Sequence, residues 1–112
     1  MRIETEGDIE GLREAGRVVA RTLAEMRAAA EPGVSTGALD ELGAAMLARL
    51  GARSAPRTIY DFPGATCISV NEEAAHGIPG DRILAPGDVV NIDVSAEFGG
   101  YFGDTGATFV VP

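Results

Sequence analysis

The 112-residue sequence has little cysteine, no long apolar run and no basic stripe. Its single cysteine, Cys67, excludes a disulfide framework or a thiolate zinc site within the chain. The first residues lack the apolar core of a signal peptide, and no run of about 18 apolar residues follows, so no membrane partner is expected. Seventeen acidic residues against nine basic ones give a net charge of −8, which argues against a nucleic-acid partner.

The chain does have enough apolar residues for a folded core. They make up 46% of the sequence, a share that argues against disorder despite the charge. The length suits one domain and leaves no room for a second of ordinary size. We therefore expect a globular protein with a cytoplasmic location.

Two amphipathic helices are predicted in the first half. Apolar residues recur every three or four positions across residues 9–30, after a Thr5 that can cap the helix. A second helix is expected to begin at Ser35 or Thr36 and to end before Gly51, which suits a left-handed C-cap. Both helices have the pattern of elements that cover one face of a sheet.

The second half is dominated by strand signals. Residues 52–65 carry two prolines and are expected to form a loop, whereas residues 66–70 alternate as a short strand does. Residues 71–88 are expected to be mostly loop, and residues 89–111 contain two alternating runs around a turn. Helices followed by strands indicate an α+β arrangement.

The turn of this hairpin sets the pairing of two aspartates. With Phe98 and Gly99 as the turn residues, Asp93 faces Asp104 directly, with Cβ atoms about 4.5–5.5 Å apart. Like charges at that distance oppose folding unless they share a proton or bind a cation, and neither strand contains an Arg or Lys. The alternative to a metal site is a pair of solvated aspartates on an open face. Phe102 on the same face favours burial of the pair, and hence a bound metal ion.

Three other residues are candidates by their chemistry. His76, the only histidine, precedes a Gly-Ile-Pro turn and is a surface residue, a metal ligand or a group that touches a substrate carbonyl. Cys67 lies in an apolar strand, where a small buried hydrophobe is commoner than a nucleophile. Phe62 is either a core residue or the wall of a pocket.

Several sequence blocks, in order, resemble a type I methionine aminopeptidase, and together they cover nearly the whole chain. They are residues 66–72 (TCISVNE), 76–79 (HGIP), 87–94 (GDVVNIDV) and 103–105 (GDT), supported by residues 8–17 and 32–36. The resemblance implies the pita-bread fold of the creatinase and aminopeptidase group, in which two α+β halves are related by a pseudo-twofold axis. Residues 1–112 then correspond to one partial domain, the N-terminal half, with two helices packed on an antiparallel sheet.

The resemblance also implies roles for the candidate residues. Asp93 matches the aspartate that chelates one of two divalent metal ions, and Asp104 matches the one that bridges both. Oxygen ligands admit manganese, iron, cobalt or zinc. His76 matches a catalytic histidine that contacts the substrate and steadies the intermediate, while Cys67 and Phe62 match residues that line the pocket for the methionine side chain.

The implied activity is metal-dependent removal of the initiator methionine from the N-terminus of nascent proteins. In this family the second half supplies a histidine and two glutamates as further ligands, so a chain that stops at Pro112 is expected to be inactive alone. One alternative is a non-catalytic half-fold that associates with itself or with a separate C-terminal half. Another is a proline-specific aminopeptidase, which the HGIP block and the short N-terminal region disfavour.

Overall fold

The computed structural model describes residues 5–73 and 77–112. Within these ranges the helices are α1 (Glu6–Ala29), α2 (Thr36–Arg49) and α3 (Ala55–Tyr60). The strands are β1 (Arg53–Ser54), β2 (Cys67–Val70), β3 (Val89–Phe98) and β4 (Tyr101–Val110), with a 3-10 turn at Asn71–Glu73. None of the helices in the described ranges is long and apolar enough to cross a membrane.

The two predicted helices are confirmed, and their caps explain their bounds. The Thr5 hydroxyl accepts from the Asp8 amide at 3.1 Å, and the Asp8 carboxylate accepts from the Thr5 amide at 3.3 Å, which makes a capping box. Ser35 caps α2 by accepting from the Ala38 amide at 3.0 Å. Gly51, with a φ of +80°, follows the last turn of α2 in the left-handed conformation.

The prediction of a loop over residues 52–65 is wrong, because β1 and α3 lie there. The Ser54 hydroxyl accepts from the Arg57 amide at 3.3 Å and so caps α3. Pro56 stands in the first turn, where a missing N–H leaves no hydrogen bond unmade. Asp61, with a φ of +51°, ends the helix. A proline that suggested a loop therefore marks a helix start.

The strands form an antiparallel sheet around β3. β4 pairs with one edge of β3 along its whole length, whereas β2 and β1 follow one another along the opposite edge. α1 packs on β3 and β4, and α2 packs on α1. The side chains of β3 that point towards the helices are buried, namely Val90, Ile92, Val94 and Ala96. These features confirm the predicted α+β arrangement of helices on an antiparallel sheet.

The register of the hairpin differs from the predicted one. The turn residues are Gly99 and Gly100, with φ angles of +60° and +89°, and Asp93 therefore pairs with Gly106 and not with Asp104. A two-residue turn of this kind needs positive φ at both positions, which glycine adopts without strain and a bulky aromatic residue does not. The correction moves each partner by two residues, so every side chain keeps its predicted face.

Candidate functional site

The sheet has one face under the helices and one face that the described residues leave open. The open face of the hairpin carries Asp93, Asp104 and Thr108, all of them exposed. Phe102 on this face is 49% exposed, so the expectation that its presence indicates a buried aspartate pair is wrong. The candidate ligands therefore stand on a rigid but accessible surface.

Asp93 and Asp104 are diagonal neighbours on the open face, because Asp93 pairs with Gly106 and Asp104 pairs with Ser95. Diagonal neighbours in a sheet lie roughly 7–8 Å apart, farther than a directly opposed pair. Partial burial raises the pKa of Asp93. The two carboxylates also interact, because the negative charge of Asp104 raises the pKa of Asp93 further. The arrangement offers two anionic oxygen donors with space between them, which suits a divalent cation.

Gly106 supplies the space that the Asp93 carboxylate occupies. A Cβ atom at position 106 would overlap with Oδ1 of Asp93, so any side chain there would displace the carboxylate. The sequence pattern predicted no role for Gly106. The two glycines at the turn were the signal that could have found it, because they place Gly106 opposite Asp93.

Cys67 lies beside Asp93, since the first residue of β2 pairs directly with it. Burial raises the pKa of the Cys67 thiol, and the charges of Asp93, Asp40 and Asp104 raise it further. A thiol with a raised pKa stays protonated at neutral pH, which suits an apolar wall and does not suit a nucleophile. The structure thus brings Cys67, Asp93 and Asp104 together on one face.

Phe62 lies next to this group along the chain. It follows α3, is half-buried, and its amide donates to the Pro56 carbonyl at 3.0 Å. From Phe62 the chain leads through four residues into Cys67 at the start of β2. The segment that carries Phe62 therefore ends at the candidate site.

His76 lies outside the described residues, so its predicted role rests on the sequence. The residue after it, Gly77, is buried, and its carbonyl accepts from the Ile68 amide at 2.8 Å. The chain that leaves His76 is thereby held against β2, the strand that also carries Cys67.

The described residues fit a divalent cation only as part of a ligand set. Across residues 5–73 and 77–112, no group of three or more His, Cys, Asp or Glu side chains could hold a metal ion. Asp93 and Asp104 nevertheless provide the hard oxygen donors that such ions prefer. Two carboxylates without further ligands are expected to bind a cation weakly.

Comparison with known proteins gives one consistent result. The profile of metallopeptidase family M24 matches residues 10–112. Methionine aminopeptidase 2 of Bacillus subtilis is 55% identical over 112 residues, which cover 99% of this chain and 45% of that protein. The crystal structure of a methionine aminopeptidase from Thermotoga maritima matches with a TM-score of 0.92 at 35% identity, covering 99% of this chain and 45% of that one.

A more distant structure shows how widely the fold is shared. A prolidase from Pyrococcus furiosus matches with a TM-score of 0.81 at 23% identity, covering 97% of this chain and 31% of that one. Such a likeness shows the fold alone, and with the methionine aminopeptidase structure it confirms the predicted pita-bread fold. The chain spans about half the length of the curated relatives it matches. Because the family profile covers almost all of its residues, the chain belongs to metallopeptidase family M24.

Proposed function

We propose that this chain forms part of a methionine aminopeptidase, which removes the initiator methionine from the N-terminus of nascent proteins in the cytoplasm. Relatives at 55% and 35% identity carry that enzyme name, whereas the prolidase shares only the fold. A proline-specific aminopeptidase is therefore the less supported reading of the same fold. The observation that carries the proposal is the placement of Asp93 and Asp104 on the open face with Cys67 beside them.

In this proposal Asp93 and Asp104 would hold two divalent metal ions on the open face. Manganese, iron, cobalt and zinc all accept such carboxylate ligands. Bound there, the ions would supply Lewis-acid polarisation of the scissile carbonyl and of the attacking water. Asp93 and Asp104 keep their donor oxygens in place because both project from one rigid hairpin.

The neighbouring residues are proposed to bind the substrate. The protonated thiol of Cys67 and the ring of Phe62 would form the apolar wall that receives the methionine side chain, whose sulfur makes favourable contacts with an aromatic edge. His76 is proposed to donate a hydrogen bond to the carbonyl oxygen as negative charge develops on it.

A second candidate function is association without catalysis. The open face exposes three apolar side chains: Phe102, two residues before Asp104, and the paired Val89 and Val110 at the other end of the hairpin. A surface of this kind suits pairing with a second copy of the chain or with a separate C-terminal half. Because the described residues offer only two metal-binding carboxylates at this site, we expect the isolated chain to release methionine slowly or not at all.

Manganese binding tests the proposed site directly. In calorimetric titrations of the chain, Asp93→Asn and Asp104→Asn are each expected to weaken manganese binding by about tenfold or more, at least the loss seen when a supporting group of a metal ligand is removed. Asp81→Asn is the matched control, because it removes one exposed charge outside the site. Unchanged binding in both site variants would contradict the metal site and the proposed function with it.

Methionine release then separates the two candidate functions. The chain is incubated with manganese or cobalt and a Met-Ala-Ser peptide, and free methionine is measured. Release that persists through purification and is lost in Asp104→Asn shows catalysis by the chain itself. Manganese binding without release shows that the chain alone is catalytically incomplete, and sedimentation then shows whether it associates.

A further inference from the structure

Asp40 is a buried carboxylate that the proposed metal chemistry does not use. It lies on α2 and is 4% exposed. Its Oδ2 accepts from the Ala65 amide at 3.0 Å, and its Oδ1 accepts from the Thr66 amide at 2.8 Å and the Thr66 hydroxyl at 2.6 Å. The guanidinium of Arg57 lies 3.7 Å from Oδ2. Both carboxylate oxygens are therefore satisfied.

The hydrogen-bond partners of Asp40 indicate why a carboxylate is buried at this position. Burying a carboxylate costs free energy unless hydrogen bonds and charge compensate for it, so a residue that merely covered the core could be apolar. All three hydrogen bonds of Asp40 go to Ala65 and Thr66, both fully buried and directly before Cys67. Asp40 therefore fixes the position of one short segment, residues 65–66, by hydrogen bonds.

Ala65 is held from two sides. Its amide donates to Asp40, while its carbonyl accepts from the Ser54 hydroxyl at 2.6 Å. The anchored segment continues without a break into Cys67, whose strand partner is Asp93. The backbone at the start of β2 is thus tied to α2 and to the N-cap of α3.

We propose that Asp40 is a positioning residue of the candidate site, which fixes Ala65 and Thr66 and thereby sets Cys67 beside Asp93. The role of Cys67 as a pocket wall rests on the proposed function, but the contacts of Asp40 do not. A change at Asp40 is therefore expected to loosen the segment before Cys67 more than the rest of the sheet.

Amide hydrogen exchange of the native chain, followed by NMR, tests this without metal or substrate. In Asp40→Asn one carboxylate oxygen becomes an amide NH2 group, which cannot accept from the backbone N–H that it faces. Exchange at Ala65, Thr66 and Cys67 is therefore expected to accelerate about tenfold more than exchange at Ile92 in β3. Asp40→Glu keeps the charged acceptor and should restore part of the protection. Equal acceleration at all these amides would overturn the proposal.

Two further variants keep the result interpretable. Val19→Ala removes buried methyl groups from α1 and should accelerate exchange evenly, as a general loss of stability does. Thr66→Val removes one of the three hydrogen bonds to Asp40 and tests the contact if Asp40→Asn does not fold. In this variant exchange should accelerate locally by a smaller factor, and exchange at position 66 and at Cys67 that is no faster than in the parent chain would count against the proposal.

A kinetic readout links the position of Cys67 to binding. If the manganese-loaded chain releases methionine, Asp40→Asn should raise KM for Met-Ala-Ser more than it lowers kcat, because a displaced pocket wall weakens binding first. Val19→Ala should change neither constant. A fall in kcat at constant KM would overturn the link to the pocket. If the chain alone releases no methionine, as expected from its incomplete ligand set, the exchange test decides the role of Asp40 by itself.

Discussion

Among single residues, Glu97 ties the turn of the hairpin to β1. Its carboxylate accepts from the Gly100 amide at 3.0 Å and from the Arg53 guanidinium at 3.1 Å. The Gly100 amide chiefly, and then Arg53, lower the pKa of Glu97 below its ordinary value of 4.5. The unfolded chain therefore binds a proton at Glu97 more readily than the folded chain does.

The first prediction follows from the sign of that shift. A lowered pKa contributes stability above the unfolded value of 4.5, and this contribution is lost as the pH falls through the folded value. Glu97→Gln should therefore be less stable than the parent at neutral pH, and the two should be equally stable well below pH 4.5. Urea unfolding at a series of pH values from neutral to acid measures the difference, with Glu41→Gln on the exposed surface of α2 as control. A difference that persists unchanged in acid would contradict this account.

The second prediction concerns the glycine opposite Asp93. Because a Cβ at position 106 would overlap with the Asp93 carboxylate, Gly106→Ala should turn that carboxylate away and weaken manganese binding. Calorimetric titration measures the affinity. Gly16→Ala is the control, since a Cβ there meets nothing within 4 Å, and its manganese affinity should equal that of the parent. Equal affinity in Gly106→Ala would show that Asp93 is not a ligand.

At the scale of elements, the close approach of α1 to β4 depends on another glycine. A Cβ at Gly103 would lie 2.5 Å from the backbone oxygen of Ala15, which is closer than real contacts allow. At the turn before it, the hydroxyl of Tyr101 donates to the Asp8 carboxylate at 2.7 Å and so joins the start of β4 to the start of α1. Helix and strand thus pack backbone to backbone.

The third prediction tests that packing. Gly103→Ala should force α1 away from the sheet and lower the free energy of unfolding by about 1–3 kcal/mol, the usual cost of overpacking. Gly16→Ala, in the interior of α1 with open space around it, should instead raise the free energy of unfolding by about 0.5–1 kcal/mol. Urea unfolding monitored by circular dichroism measures both. A neutral Gly103→Ala would mean that α1 can shift at no cost.

The sequence predicted most elements because their signals are local. Thr5 and Ser35 cap their helices through contacts three residues away, and Gly51 ends α2 through its own φ angle. The sequence did not predict α3, because a proline such as Pro56 is common both in loops and in the first turn of a helix. The Ser54 cap before it was the signal that decides between them.

At the scale of the whole molecule, one face of the sheet is covered and the other is open. The helices bury the inward side chains of β3, whereas Phe102 and Val110 project from the open face. Apolar surface left in water forfeits about 25 cal/mol per Å² that burial would supply. The molecule therefore lacks part of the stabilisation that a sheet covered on both faces would have.

The fourth prediction is marginal stability or association in solution. The midpoint of thermal unfolding should rise with protein concentration, and sedimentation should detect species larger than the monomer. Phe102→Gln should weaken the association, whereas Ile59→Gln, at an exposed position on α3, should not. A monomer with a sharp melting transition that is independent of concentration would contradict this prediction.

The sequence by itself determined the starts of α1 and α2, the α+β class and the shared face of Asp93 and Asp104. The shared face survived the error in register because side chains alternate with a period of two. Only the tertiary structure decided that Asp93 lies next to Cys67, and that Asp40 holds the Ala65 amide from 25 residues away. Contacts of that kind depend on how distant segments pack against each other, which no local periodicity encodes.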